Sequence, residues 1–336
     1  MVSAELLSNI SNAKSALKIN RLATFAWGVL AYNLAVILWG AYVRATGSGA
    51  GCGSHWPLCN GEVMPRAPQI KTVVELTHRL TSGVALLLVI GLAVLAFRAY
   101  PRKHLVRLGA GATVFFMLTE ALIGAGLVLF ELVADNASMA RALFLSVHLV
   151  NTFLLLAALA LTAWWASTNQ EVRPRFEGIM ALLLGIGFVA TLVLGVSGAV
   201  TALGDTLFPV SSVAEGLRQD FSPTAHLLVR LRVLHPVIAI AVGGYLIFAA
   251  SIAVKRYPDA RTKWLARAVS ALIFIQLGAG ALNVALLAPT WLQLLHPLLA
   301  DLLWIAFVLL AAVVFTTQQQ ALRGSRDVRI NALRNV

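Results

Sequence analysis

Eight separate stretches of this chain are long and almost uncharged, lying roughly at 23–44, 73–97, 105–131, 142–166, 178–202, 227–254, 265–288 and 291–317. A helix that crosses a bilayer needs about 20 mostly apolar residues, and each stretch meets that length. Inside hydrocarbon the backbone must satisfy its own hydrogen bonds, so such stretches are helices. Composition agrees: 59% of the 336 residues are hydrophobic and 12% are charged, with mean hydropathy +0.83, against about 25% charged in soluble domains. The expected fold is all-α, a polytopic membrane protein of eight transmembrane helices. The first stretch is followed by Tyr42-Val43-Arg44, without the short apolar core and small-residue site of a cleaved signal peptide.

Basic residues set the orientation, because Lys and Arg gather in cytoplasmic loops. With the N-terminus inside, the cytoplasmic segments hold Lys14, Lys18, Arg21, Arg98, Arg102, Lys103, Arg107, Arg173, Arg175, Lys255, Arg256, Arg261, Lys263, Arg267, Arg323, Arg326, Arg329 and Arg334. Beside them stand only Glu5, Glu171, Glu177, Asp259 and Asp327. Both termini are therefore expected in the cytoplasm, and the net charge of +12 reads as loop asymmetry in a cell-membrane protein rather than as a nucleic-acid surface. The expected organisation is a cytoplasmic segment 1–22, a four-helix half 23–166 with a large outer loop 45–72, a linker 167–177, a second half 178–317 with an outer loop 203–226, and a tail 318–336. Large loops on the side away from the positive charge point to function there.

The halves echo each other. Gly124-Ala125-Gly126 recurs as Gly278-Ala279-Gly280, Gly47 answers to Gly204, His78 to His235 and His148 to His296. Each half has an even number of spans, so the expected arrangement is two parallel repeats, pseudo-symmetric about an axis along the membrane normal.

Four of the seven histidines lie within spans. All four fall on even-numbered helices, about 8–14 Å from the outer end at roughly 1.5 Å per residue. Ionisable residues inside a membrane are rare and usually functional. Imidazole is a good axial ligand for haem iron, and a helical bundle can hold a flat macrocycle. A zinc or copper site would ordinarily add Cys, a carboxylate or a third His. Two porphyrin sites near the outer face is the economical reading, with Arg44, Arg79, Arg230 and Arg232 available to meet haem propionates or to serve as interfacial anchors. His55, His104 and His226 read as loop or helix-end residues. The halves differ: Glu75 stands three residues before His78 and shares its helix face, whereas Arg232 holds that place before His235. Arg79 follows His78, and Pro236 follows His235. A buried carboxylate can accept protons.

The first outer loop packs Gly47, Gly49, Gly51 and Gly53 around Cys52, with Cys59 seven residues on and Trp56-Pro57 between. The cysteines could form one bridge, structural or redox-active. Arg44-Ala-Thr-Gly-Ser-Gly49, the Cys52…Trp56-Pro57-Leu58-Cys59 loop and Glu75-Leu-Thr-His78-Arg79 together resemble the haem A synthase family, whose members oxidise the C8 methyl of haem O to a formyl group. The resemblance covers essentially the whole chain. It implies that His78 and His148 line the substrate haem site, that Glu75 is the catalytic carboxylate, and that His235 and His296 are the axial ligands of a haem b kept as cofactor. It further implies haem O as substrate, haem A as product through a hydroxymethyl intermediate, and a protohaem farnesyltransferase (haem O synthase) and terminal oxidase assembly as partners. The electron acceptor is unassigned. Some members carry a second Cys pair in the other large loop; here 203–226 has none.

Two other classes fit the composition. A transmembrane b-type cytochrome for electron transfer needs haems near both faces, and these histidines crowd one. A transporter would use the repeats and the embedded Glu120, Asp301, Gln276 and Asn283, but gives no reason for histidines at matched depth.

Overall fold

A computed structural model describes residues 2–168 and 178–334, with side chains described within 21–168 and 178–317. Most of the 167–177 linker, and the side chains of the N-terminal segment before 21 and of the 318–336 tail, lie outside the described residues. The described chain is helical: α1 (Val2–Ala45), α2 (Ile70–Ala99), α3 (Leu105–Leu129), α4 (Met139–Thr168), α5 (Gly178–Leu207), a short α6 (Val213–Asp220), α7 (Leu227–Arg230), α8 (Leu234–Arg256), α9 (Ala260–Ala285) and α10 (Thr290–Arg334). Among the described residues the one extended pairing is an isolated bridge between Cys59 and Glu62. Among the described residues eight segments are long and apolar enough to cross a membrane, with α7, a 3₁₀ turn at Leu231–Val233 and α8 making the sixth. Pro236 lies just beyond that turn; it lacks an N–H to bond back to the Arg232 carbonyl, which favours the tighter winding there.

Helix ends follow local chemistry. Asp259 caps α9 by accepting from the N–H groups of Arg261 and Thr262. His104 and His226 cap α3 and α7, each accepting from the N–H two residues on, as expected for helix-end residues. Helices α1 to α4 pack in a ring, each against the next and α4 against α1; α5, α8, α9 and α10 pack in the same order. The rings meet where α4 packs on α5 and α10, and α1 on α10. Trp304 of α10 stacks on Phe153 of α4, with Nε1 donating to the Phe153 carbonyl at 2.6 Å. The most apolar window of α10 is 78% buried against 17% for α9, so α10 is the central helix and α9 faces outward.

Buried positions repeat between the rings. On α8, Val242, Leu246, Ala249 and Ala253 are buried 157 residues after buried Ala85, Val89, Leu92 and Ala96 of α2. On α9, Thr262, Leu265, Ala266, Val269 and Ile273 are buried 156 residues after Val106, Gly109, Ala110, Thr113 and Met117 of α3.

Candidate functional site

His78, His148, His235 and His296 stand eight, nine, eight and six residues after the first residue of their spans, which puts all four near one end of the bundle. That end also carries the two long connections, 46–69 and 208–226. Within each ring the two histidines stand on opposite helices, α2 with α4 and α8 with α10, rather than on neighbours. Opposed helices present an imidazole from each side of the ring's centre, the arrangement that grips a flat group between two axial ligands.

Each imidazole also lies near a glycine of an adjoining helix. A Cβ on Gly40 or Gly198 would fall 3.0 Å from Cε1 of His78 or His235; on Gly280 or Gly124 it would fall 3.2 or 3.9 Å from Cε1 of His296 or His148. Absent side chains thus leave the rings their room. In the second ring the His235 and His296 centroids are 6.3 Å apart at 79°. A metal about 2 Å from one nitrogen of each ring, with each ring centre about 1.2 Å behind that nitrogen, separates centroids by roughly 6.4 Å. Ser197 Oγ lies 2.9 Å from His235 Nδ1, which leaves Nε2 as the nitrogen free to ligate. Nδ1 of His78, of His148 and of His296 is buried with no hydrogen-bond partner among the described residues. The second-ring pair thus stands at a spacing that would fit an iron-centred group between two imidazoles.

Glu75 is 3% exposed and both its oxygens are engaged. Oε2 accepts the Cys52 N–H at 2.9 Å, and Oε1 accepts Arg79 Nε at 3.1 Å. Arg79 Nη1 also donates to the carbonyls of His55 and Leu58, each at 2.7 Å. Glu75 and Arg79 therefore tie the first long loop to the helix that carries His78. Thr72 adds a bond to the Gly51 carbonyl at 2.7 Å, and a Cβ at Gly51 would collide with the Lys71 carbonyl. Cys52 and Cys59 form a disulfide, and both are wholly buried. Burial shields the bond from large solvent-borne thiols, which favours the structural side of the two uses open in the sequence. Thiol alkylation of denatured, unreduced membranes should leave both residues unmodified, and prior reduction should make both reactive. Modification without reductant would show that the bridge does not stand.

The four arginines have different surroundings. Arg79 is committed to Glu75 and the loop. Arg232 is buried and donates to Asp205 and Asp220. Arg44 reaches from α1 to the Ala202 carbonyl and Thr206 of α5, and to Gln293 of α10, and so links the rings. Arg230 is exposed. Glu75 and Arg232, 157 residues apart, thus each anchor a buried ion pair beside a long connection with the charges reversed.

Sequence reading gave Glu120 and Asp301 no place at a haem site. Asp301 is buried in α10 with Oδ2 unpartnered among the described residues. Glu120 of α3 lies 3.5 Å from His148 Nδ1. Gly124-Ala-Gly126 and Gly278-Ala-Gly280 are 154 residues apart, whereas the buried positions of α3 and α9, and the glycines beside His148 and His296, are 156 apart. At 156, Gly124 meets Gly280 and Glu120 meets Gln276, whose amide is 3.2 Å from His296 Nε2.

Residues 23–308 match the family described as Cytochrome oxidase assembly protein, COX15-CtaA. The chain is 28% identical over 308 residues to a Heme A synthase of Exiguobacterium sibiricum, covering 89% of this chain and 97% of that protein. It is 29% identical over 276 residues to a Heme A synthase of Bacillus mycoides, covering 81% and 86%. It is 57% identical over 292 residues to a Protoheme IX farnesyltransferase of Thermus thermophilus, covering 87% of this chain but 48% of that protein. The chain thus spans about half the length of that Thermus relative.

Proposed function

This chain belongs to the COX15-CtaA family of cytochrome oxidase assembly proteins, and on that premise we propose that it is a haem A synthase, oxidising the C8 methyl of haem O to a formyl group by way of a hydroxymethyl intermediate. The observation that carries the reading is the set of four membrane-embedded histidines, paired across two rings at one level and each with a glycine at its edge. The name of the Thermus relative does not redirect it. That name belongs to a protein about twice the matched length, while the alignment with the Exiguobacterium Heme A synthase covers 97% of that protein.

In this reading His78 and His148 hold the substrate haem, and His235 and His296 hold a resident haem b, with the histidine end toward the outside of the cell membrane. The haem irons supply the electron-transfer chemistry. A farnesylated porphyrin is lipid-soluble, so a substrate site inside the bilayer is where it can arrive without crossing water, from a protohaem farnesyltransferase and toward terminal oxidase assembly. Glu75 holds a carboxylate at the mouth of the first ring, on the same helix and one turn from His78. Its roles are to take a proton released as the methyl is oxidised and to fix the loop that covers this end. The second ring has Arg232 there, so it can retain a haem but offers no acid at that position.

The test is production of the full chain in a cell that makes haem O but no haem A, followed by chromatography of the extracted haems. Haem A, with a hydroxymethyl precursor, is the expected product. Unchanged haem O alongside well-folded, haem-loaded protein would reject the activity.

A further inference from the structure

Glu120 is held more firmly than a stray membrane acid requires. Its Oε2 accepts Asn151 Nδ2 at 2.6 Å, and its Oε1 accepts the Thr152 hydroxyl at 2.5 Å. Asn151 is fixed in turn, accepting from Thr119 at 2.7 Å through Oδ1 and donating to the Phe116 carbonyl at 2.9 Å. The bracket puts Oε1 3.5 Å from His148 Nδ1, longer than a good hydrogen bond, and that nitrogen has no other polar partner among the described residues. A carboxylate within the bilayer is costly and persists where it has a use, and this one faces the imidazole, with the buried Asp301 of α10 also close enough to interact with it. We propose that Glu120 is a positioning residue for His148, holding the proton of that ring on Nδ1, leaving Nε2 for iron and making the imidazole the stronger electron donor. This rests on the reading of His148 as a haem ligand.

The second ring supplies the contrast. Gln276 stands 156 residues on, its amide 3.2 Å from His296 Nε2, so in that ring Nδ1, buried without a hydrogen-bond partner among the described residues, is the nitrogen left for iron. An amide carries no charge, so it polarises the imidazole far less than a carboxylate does. The haem held by His148 therefore has the lower midpoint potential of the two, and electrons leaving the first ring run downhill to the second. That gradient suits a first ring whose porphyrin is being oxidised. It also separates the sites by a device independent of Glu75 and Arg232.

The experiment is optical redox titration of full-length protein purified with both haems bound, comparing wild type with Glu120→Gln and Gln276→Glu. In Glu120→Gln the first-ring haem should shift to higher potential, with the second-ring haem unmoved. In Gln276→Glu the second-ring haem should shift to lower potential. Asn151→Ala, which loosens the bracket but keeps the acid, should move the first-ring haem part of the way upward. Normal haem content with both potentials unmoved in Glu120→Gln overturns the proposal. If that variant loses its first-ring haem, Gln276→Glu decides alone, and an unmoved second-ring potential rejects the proposal. Wild-type protein that binds no haem would instead remove the proposed function itself, so the two failures are distinct.

Discussion

Haem extracted from cells that carry Glu75→Gln in place of the natural chain should contain haem O or its hydroxymethyl product and little haem A. Gln keeps the size of Glu75 and can still accept the Cys52 N–H through its amide oxygen, but it removes the charge and the basicity. General-base catalysis contributes about 10²–10⁴-fold, so haem A should fall by at least about 10²-fold. The geometry adds a second effect to be separated from the first, because the substitution also breaks the pair with Arg79. Breaking a buried pair costs about 3–5 kcal/mol where the remaining charge is fully enclosed. The Arg79 side chain keeps 11% of its surface exposed and still donates to the His55 and Leu58 carbonyls, so the cost here falls below that range. The disulfide and the Thr72 bond to Gly51 continue to hold the loop. Retained second-ring haem and an intact Cys52–Cys59 bridge in the variant would locate the defect in chemistry. Near-normal haem A would leave Glu75 as a loop anchor only.

The eight spans were legible because hydrophobic length alone reports them: the stretch read as 73–97 is Ile70–Ala99, and that read as 142–166 is Met139–Thr168. Which face of each helix turns inward was not legible in the same way. In a bilayer the lipid-facing side is as apolar as the packed side, so Leu118 and Leu122 of α3 are exposed while Ala110 and Thr113 are buried. Small and hydroxyl residues such as Gly109, Ala110 and Thr113 mark the contacts, and which of them do so shows only in the packed structure. The four histidines could be picked out because ionisable groups in spans are few. Glu120 was equally visible as an embedded acid, but its partner lies on another helix, and only packing brings α3 and α4 together. The α6 helix within 203–226 escaped notice for a different reason: eight residues of mixed polarity give too short a period to read.

The second ring should lose its haem when either of its histidines is removed. The His235 and His296 rings stand 6.3 Å apart between centres; in the proposed reading both would hold the second-ring haem, and alanine at either would remove one of its two protein ligands. Purified His235→Ala and His296→Ala should therefore lack the low-spin b-type spectrum, or show a five-coordinate one with haem B in reduced amount. A packing variant tests the same site without touching a ligand. A Cβ at Gly198 would stand 3.0 Å from His235 Cε1, and the larger Gly198→Val must push the ring from its place and perturb the same spectrum. Gly244→Ala is the matched control, since nothing lies within 4 Å of a Cβ there; it should keep the spectrum and gain up to about 1 kcal/mol of helix propensity. His226→Ala is the control for histidine loss, because that residue caps α7 through the Leu228 N–H and lies outside both rings. Losing the cap costs about 1 kcal/mol with no change in haem. An unaltered low-spin haem B spectrum in both His235→Ala and His296→Ala would move the resident haem out of the second ring, and the division of labour between the rings would have to be reversed or abandoned.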